Sequence, residues 1–422
     1  MRFMSKFVIQ GGKPLAGEVE VYGSKNAVLP LIAASLLTTE PFTISNVPDI
    51  SDVSTMLAIL SGWGAKVKRE DGQRGTLVIE TQSVKTDGAQ DEAVGKLRGS
   101  ILFLGALLGR ERNVSLPRPG GDVIGARPID VHLVGFRQLG AEINEEGDQV
   151  LISGQAMQAG EVTLSEFSVT ATENMLLVAA TLPGKTTIYT AAAEPHVVAL
   201  AGALTRMGAS ITGAGTHTLV VEGSTKLAGA TVENISDMLE AGFFILLAAA
   251  TKSDMNIRQV PTQDLRLFFK KLTQIGVAYS VDHDTVTVRP APLRAFRLQV
   301  LPHPGIATDL QAPFAVLATQ TQGSSLIHDP LYESRFKHID ELAKMGADAV
   351  VCDPHRVIIN GPTPLAGREI PSLDIRSGAT LVMAGLTARG QTTIREAEIV
   401  DRGYARLTER LQALGADIQR IE

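Results

Sequence analysis

The stretch Val47–Val67, "VPDISDVSTMLAILSGWGAKV", contains a complete folding unit in outline. Its apolar residues Val53, Met56, Leu57 and Leu60 recur at three and four positions, which puts them on one face of an α-helix. Asp52 is positioned to cap that helix. Gly64 follows the last apolar turn and can take the left-handed conformation that closes a helix, and the residues beyond it read as a strand.

The same phrase recurs down the chain. It returns as "FRQLGAEI" at Gly140, "LTRMGASI" at Gly208, "LTQIGVAY" at Gly276, "LAKMGADA" at Gly346 and "LQALGADI" at Gly415, so that successive glycines lie 76, 68, 68, 70 and 69 residues apart. Between the copies, "TLVIE", "QVLISG", "HTLVVEG", "DTVTVRP" and "HRVIING" alternate or run apolar as strands do. The chain is therefore an αβ protein built from one unit of about 70 residues used six times. Solenoid repeats run to about 20–45 residues and need polar end caps, so two globular domains of three units each, with a cleft between them, are expected instead.

Composition narrows the function. The chain has 422 residues, 44% hydrophobic and 20% charged, with a formal charge of −6. Aromatics make up 5%, and no basic run is interleaved with them, which argues against nucleic acid. The longest apolar run, "AGFFILLAAAT" from Ala241, falls short of the roughly 18 residues a membrane span requires. The opening "MRFMSKFVIQGG" lacks the apolar core of a signal peptide, and the single cysteine, Cys352, excludes an internal disulfide. These features predict a cytoplasmic enzyme acting on small polar molecules, without nucleic-acid or membrane partners. The eight histidines form no HExxH or other close pair, and no GxGxxG, GxxxxGK[ST] or GxSxG motif occurs, so neither a metal nor another cofactor is expected.

Several positions carry chemistry. "GSKNAVLPLIAASLL" sets Lys25 and Asn26 at the start of a helix, where a cation joins backbone donors to favour an anion. Arg98, Arg127, Arg335, Arg376 and Arg402 recur in glycine-bearing or polar turns, and several such guanidinium forks converging suit a ligand with both phosphate and carboxylate. Asp374 and Asp401 adjoin Arg376 and Arg402 and are expected to orient them as ion pairs. Asp309, in "HPGIATDLQAPF", has the setting of a helix cap or, at a cleft, of a proton acceptor. "RPGGDVIGARP" holds Asp122 on a glycine loop close to Arg127.

The ordered set "GSKNA", "LRGS", "RPGGDVIGARPIDVHL", "TDLQAPF", "YESRFKHIDELAKMGA", "DIRSGA" and "DRGYARL" resembles the UDP-N-acetylglucosamine 1-carboxyvinyltransferase family of enolpyruvyl transferases, from about Phe7 to the C-terminus. The resemblance implies two inverted αβ barrels of three units each, with residues 1–24 and 236–422 in one domain and 25–235 in the other. It implies transfer of the enolpyruvyl group of phosphoenolpyruvate to the 3-hydroxyl of a UDP-sugar, the first committed step of peptidoglycan precursor synthesis. Lys25, Asn26, Arg127 and Arg402 would then meet the phosphate of phosphoenolpyruvate, and Arg335 and Arg376 its carboxylate. Arg98, Arg127, Pro128, Ile129, Asp130, Val131, Ser168, Val169 and Leu331 would contact the UDP-sugar, with Asp130 reading the uracil. Asp374 is a further candidate substrate contact, and Asp309 would stand at the sugar 3-hydroxyl.

This sequence departs from the family pattern in informative places. The acid on the mobile loop is usually a cysteine and here is Asp122. A carboxyl can donate a proton, but an unperturbed aspartate titrates near 3.9, so bound anions and closure would have to raise it. Met238 and Phe243 replace polar residues in "DMLEAGFF", and Glu166 and Thr170 stand in "EFSVT" where the family has "KxSVG". Alternative wall packing around an unchanged ligand is the favoured reading. Against enolpyruvyl transfer to a UDP-sugar, the competing readings of function are a catalytically silent UDP-sugar-binding paralogue and transfer to shikimate 3-phosphate. Retention of the phosphoenolpyruvate arginines opposes the first, and "RPIDVHL" the second.

Overall fold

The computed structural model of the chain describes residues 5–70, 74–86, 91–120 and 128–422. They divide into two compact units, one of residues 5–22 and 236–422, the other of 23–120 and 128–235.

All six phrase glycines are left-handed, with φ between +88° and +116°. Each closes a helix: Ser51–Gly62, Asp130–Gln138, Pro195–Met207, Arg266–Ile275, Lys337–Lys344 and Leu407–Ala413. After each of the first five glycines comes the outer strand of an antiparallel hairpin, as where Lys66–Glu70 pairs with Gly75–Glu80 and Ala278–Asp282 with Thr285–Arg289; after Gly415 the outer strand Asp417–Ile421 pairs instead with Lys6–Gly11. The expected face Val53, Met56, Leu57 and Leu60 is buried. Asp52, expected as the cap, is not one: the helix starts at Ser51 with Ile50 at the cap position, and Asp52 lies in the first turn, 4% exposed. Its carboxylate turns inward to a lysine, described below.

Five of the six sheets among the described residues repeat one plan. An edge strand pairs in parallel with its neighbour, and two antiparallel pairings follow, as in the order Glu161–Thr163, Gly184–Tyr189, Thr218–Gly223, Ser210–Thr212; the sixth, of Asn113–Pro117, Gln149–Ser153 and Glu142–Glu146, shows the two antiparallel pairings alone. The first strands of the chain complete sheets of the last units. Lys6–Gly11 lies between Gly390–Arg395 and Asp417–Ile421, with Phe7 opposite Ile394 and Ile9 opposite Ile418, and Ala16–Glu20 runs parallel to Asp254–Arg258. Those pairings make the first unit discontinuous in sequence.

Among the described residues each unit also has three helices of eight residues or more that the glycine phrase does not announce. They are Lys25–Ala34, Leu102–Glu111 and Val169–Ala179 in one, and Met238–Ala250, Gln311–Ala318 and Ile375–Thr387 in the other. These are buried on almost every side, whereas strands alternate buried and exposed residues. A helix that is apolar all round must be enclosed, so the helices form the core and the sheets the wall, which is the inverted barrel expected. The apolar run from Ala241 is one of these core helices, and no helix among the described residues is long and apolar enough to cross a membrane.

Candidate active site

In the first unit the N-terminal ends of the three core helices come together. Asp374 caps Ile375–Thr387, accepting from Arg376 N and Ser377 N at 3.0 Å each and from Ser377 Oγ at 2.5 Å. Asp309, whose setting suited either a helix cap or a proton acceptor, does not stand at the cap position of Gln311–Ala318: that is Leu310, and Asp309 sits in the single turn Thr308–Leu310 before it. Its carboxylate goes to two arginines instead. Oδ2 accepts from Arg376 Nε at 3.0 Å and Oδ1 from Arg335 Nη2.

Both arginines are nearly enclosed, Arg335 at 9% and Arg376 at 7% exposure. Burial works against the charge of Arg376, but Tyr404, Asp309 and Asp237 outweigh it and hold its pKa above the ordinary guanidinium value. Arg335 is raised in the same way, against burial, by Asp309, Asp374 and Asp329. Arg376 lies over the Tyr404 ring at 5.2 Å, and burial pushes the Tyr404 phenol up to about 12. Asp237 caps Met238–Ala250 through Leu239 N and Glu240 N, and burial raises its pKa against the pull of Arg376. His338, behind Arg335, is held down to about 4 by burial, so it adds no further positive charge at neutral pH.

Leu331 is 39% exposed, and its turn is tied to the Asp309 segment: Asp329 accepts from Leu331 N at 3.0 Å and from Thr308 Oγ1 at 2.5 Å. Arg402 ends the short helix Ala397–Arg402. Neither acid beside an arginine makes the simple neighbour pair expected. Asp374 meets Arg376 through its backbone N–H, and Asp401 accepts from Arg420 Nη1 at 2.6 Å.

In the second unit Ser24 caps Lys25–Ala34, accepting from Ala27 N at 3.3 Å, so Lys25 and Asn26 open the helix as the sequence suggests. Lys25 Nζ lies 2.5 Å from Asp52 Oδ2. Asp52 was invisible as a lysine partner because an acid in a first turn reads as a dipole or cap residue. Arg98 Nη2 donates to the Pro128 carbonyl at 3.4 Å. Beyond it Ile129 and Val131 turn into the core, while Asp130 is exposed as the first residue of its helix.

A polar network joins this helix to Val169–Ala179, which Ser168 caps through Ala171 N at 3.4 Å. Asn174 Nδ2 donates to the Ile101 carbonyl at 3.0 Å and to His132 Nδ1 at 2.8 Å. His132 must then carry its proton on Nε2, which donates to Thr170 Oγ1 at 3.2 Å. Burial, with the Arg98 charge nearby, holds His132 down to about 3, in keeping with a neutral ring. The structure thus brings Arg98, Pro128–Val131, Ser168 and Val169 into one cluster, and gives Thr170, a departure from the family pattern, a partner. Glu166 is exposed. Phe243 is fully buried against Phe244 and Tyr404, and Met238 packs on the same core. Asp122 and Arg127 lie outside the described residues.

Two units of enclosed helices walled by sheets, one bearing an aspartate clamped by two arginines, define an enolpyruvyl transferase. The family model for EPSP synthase (3-phosphoshikimate 1-carboxyvinyltransferase) matches residues 9–411, and the chain belongs to that family. It is 40% identical to the UDP-N-acetylglucosamine 1-carboxyvinyltransferase of Desulforapulum autotrophicum, over 99% of this chain and 100% of that one. Identity to the protein of the same name from Treponema pallidum is also 40%, over 98% and 99%. Among solved structures, the enolpyruvyl transferase NikO from Streptomyces tendae superposes with a TM-score of 0.89 at 26% identity, covering 99% of each chain. EPSP synthase from Acinetobacter baumannii shares the fold, with a TM-score of 0.76 at 20% identity over 99% of this chain and 100% of that one.

Proposed function

We propose that this protein transfers the enolpyruvyl group of phosphoenolpyruvate to the 3-hydroxyl of UDP-N-acetylglucosamine and releases phosphate. The observation that carries the reading is the Asp309 carboxylate held between buried Arg335 and Arg376. Arg376 Nη1, buried, makes no hydrogen bond among the described residues, and a charged donor in that condition suits an incoming carboxylate. Full-length relatives bearing the name of this activity support the choice of acceptor.

The reaction assigns each group a task. The sugar oxygen bonds to C2 of phosphoenolpyruvate, the hydroxyl proton passes to a base, and C3 takes a proton. C3 then gives a proton back, the bond from C2 to the phosphate oxygen breaks, and phosphate leaves with the enol ether formed. Asp309 takes the hydroxyl proton or orients the hydroxyl, its carboxylate held by one arginine on each oxygen. Lys25, Asn26, Arg127 and Arg402 follow the charge of the phosphate, Arg335 and Arg376 that of the carboxylate. Arg98, Pro128–Val131, Ser168, Val169 and Leu331 hold the nucleotide sugar, and Asp374 acts on it indirectly by fixing the helix end that carries Arg376. Asp122 protonates C3. The reaction belongs to peptidoglycan precursor synthesis in the cytoplasm, with its consequences for cell shape and division.

Incubating the purified protein with both substrates and following phosphate release across pH tests the proposal. Release dependent on UDP-N-acetylglucosamine is expected. Intact UDP-sugar binding without release above background would overturn it, and release with shikimate 3-phosphate in its place would overturn the choice of acceptor.

A further inference from the structure

Tyr404 is 2% exposed and touches a group that the proposed reaction uses. Its ring lies under the Arg376 guanidinium, with Cζ 5.2 Å from the ring centre, and its phenol hydrogen-bonds to the same group. A guanidinium over an aromatic face is attracted to it, more strongly where water is excluded. The ring also packs on Phe243 of the core helix Met238–Ala250, with centroids 5.2 Å apart and planes inclined by 60°. Phe243 is one of the departures from the family pattern, and it gives Tyr404 an aromatic neighbour in place of a polar one. Asp309 holds Arg376 by Nε and Tyr404 holds it by ring and phenol, while Nη1 makes no hydrogen bond among the described residues. The fork is gripped at two places and keeps a donor for a ligand.

The segment that carries Tyr404 also carries Arg402. Tyr404 N donates to the Val400 carbonyl at 3.0 Å, which ties it to the short helix Ala397–Arg402. That segment lies directly on Ile375–Thr387. A Cβ on Gly403 would come within 2.5 Å of Ile375 Cγ2, and one on Gly378 within 2.7 Å of Val400 Cγ2, so glycine at both points permits an approach that a side chain would prevent. Close packing therefore sets the spacing of the two arginine-bearing segments, and Tyr404 the direction of the Arg376 fork. Two cations at a fixed spacing suit a small ligand with carboxylate and phosphate on adjoining carbons.

We infer that Tyr404, backed by Phe243, is a positioning residue that aims Arg376 at the carboxylate of phosphoenolpyruvate while the neighbouring Arg402 meets the phosphate. The inference rests on the reading of the reaction as enolpyruvyl transfer. Steady-state kinetics, with the enolpyruvyl product measured by chromatography, test it. Tyr404→Phe keeps the ring and removes the phenol oxygen; it should raise the KM for phosphoenolpyruvate about tenfold and leave kcat within about threefold. Tyr404→Leu, which also loses the ring, should raise that KM about a hundredfold, and Phe243→Leu about threefold. The KM for UDP-N-acetylglucosamine and inhibition by inorganic phosphate, which has no carboxylate, should each change by less than about twofold. In an Arg376→Lys background Tyr404→Phe should have almost no further effect, because the two changes disturb one contact. An unchanged KM for phosphoenolpyruvate in Tyr404→Phe, an equal loss of phosphate inhibition, or full additivity with Arg376→Lys would each overturn the positioning role. Should Tyr404→Leu fail to fold, Tyr404→Phe decides. An unaltered protein that forms no product from the two substrates would instead sink the reading of the reaction, and the inference with it.

Discussion

Replacing Glu240 by glutamine should destabilise the first unit far more than a change of one oxygen to nitrogen suggests. Glu240 and Arg410 face each other through two hydrogen bonds, of 2.9 and 2.7 Å, with side chains only 4% and 7% exposed. Glu240 also accepts from Tyr22 N at 2.9 Å, and Arg410 donates to the Glu20 carbonyl at 2.6 Å. The guanidinium sits 4.0 Å from the centre of the Tyr22 ring and 4.7 Å from that of Phe244. Burial works against the charge on Arg410, and Glu240 outweighs it and raises its pKa. Glutamine keeps the shape and removes the countercharge.

Breaking one side of a buried ion pair costs about 3–5 kcal/mol. In a unit of about 200 residues each kcal/mol moves the melting midpoint by roughly 2–4 °C, so the midpoint should fall by roughly 6–20 °C. Scanning calorimetry reads the shift directly. The double change Glu240→Leu with Arg410→Met removes both charges and should recover most of the loss, because an apolar replacement of a whole buried pair is often neutral. A Glu240→Gln protein melting within about 2 °C of the unaltered one would refute this reasoning.

The second unit should show a pH-dependent stability that one substitution corrects. Burial, reinforced by Glu194, raises the Glu173 pKa well above 4.5, so the folded chain keeps a proton that the unfolded chain releases, and stability falls as pH rises from there. Glu173→Gln should therefore melt higher than the unaltered protein at about pH 8 and lose that advantage near about pH 4; a constant difference would count against it. His132 has the opposite sign: lowered from 6.5 to about 3, it costs stability as pH falls through that window. Thr170→Val leaves the His132 N–H without its acceptor and should cost about 1–3 kcal/mol in chemical denaturation, with Thr170→Ser restoring most of it. If Asp122 is the acid, Asp122→Asn should abolish phosphate release while UDP-sugar affinity stays within about tenfold; a fully active variant removes Asp122 from the mechanism.

The repeat was legible because glycine is required at one point in each unit. A left-handed residue after an amphipathic helix leaves a local trace, and all six glycines adopt it. The enclosed helices were harder to see as a class, since a helix such as Met238–Ala250 is apolar all round and has no periodicity to read. Single residues were ambiguous where two physical roles share one sequence setting. Asp309 and Asp52 both stand where a cap is commonplace, yet the first is bound by arginines of distant segments and the second by Lys25. Asp237 and Tyr404, which act on Arg376, had no local signal to set them apart from ordinary cap and core residues. Their roles arise from contacts between segments more than a hundred residues apart, except for Tyr404, whose short separation from Arg376 still crosses a strand.

The enclosed helices explain why the candidate residues fall where they do. Lys25 and Asn26 open one such helix, Arg98 lies in the turn leading into Leu102–Glu111, and Ser168 and Val169 start the third of that unit. In the other unit Asp237, Asp309 and the pair Asp374 and Arg376 stand at the starts of the remaining three. A helix start carries unpaired N–H groups and the positive end of its dipole, so three starts gathered at one end of a unit favour anions before any side chain is chosen. The acids Asp237 and Asp374 satisfy two of those starts from within, and Asp374 does so through the backbone of Arg376 itself in the first turn of its helix. Arg335 and Arg376 share the carboxylate of Asp309, and Asp237, Asp374 and Asp329 add to the charges that hold them ionised. Two buried guanidinium forks fixed in place beside such helix starts suit a substrate bearing carboxylate or phosphate, whose oxygens a fork meets with paired hydrogen bonds, better than a neutral sugar alone.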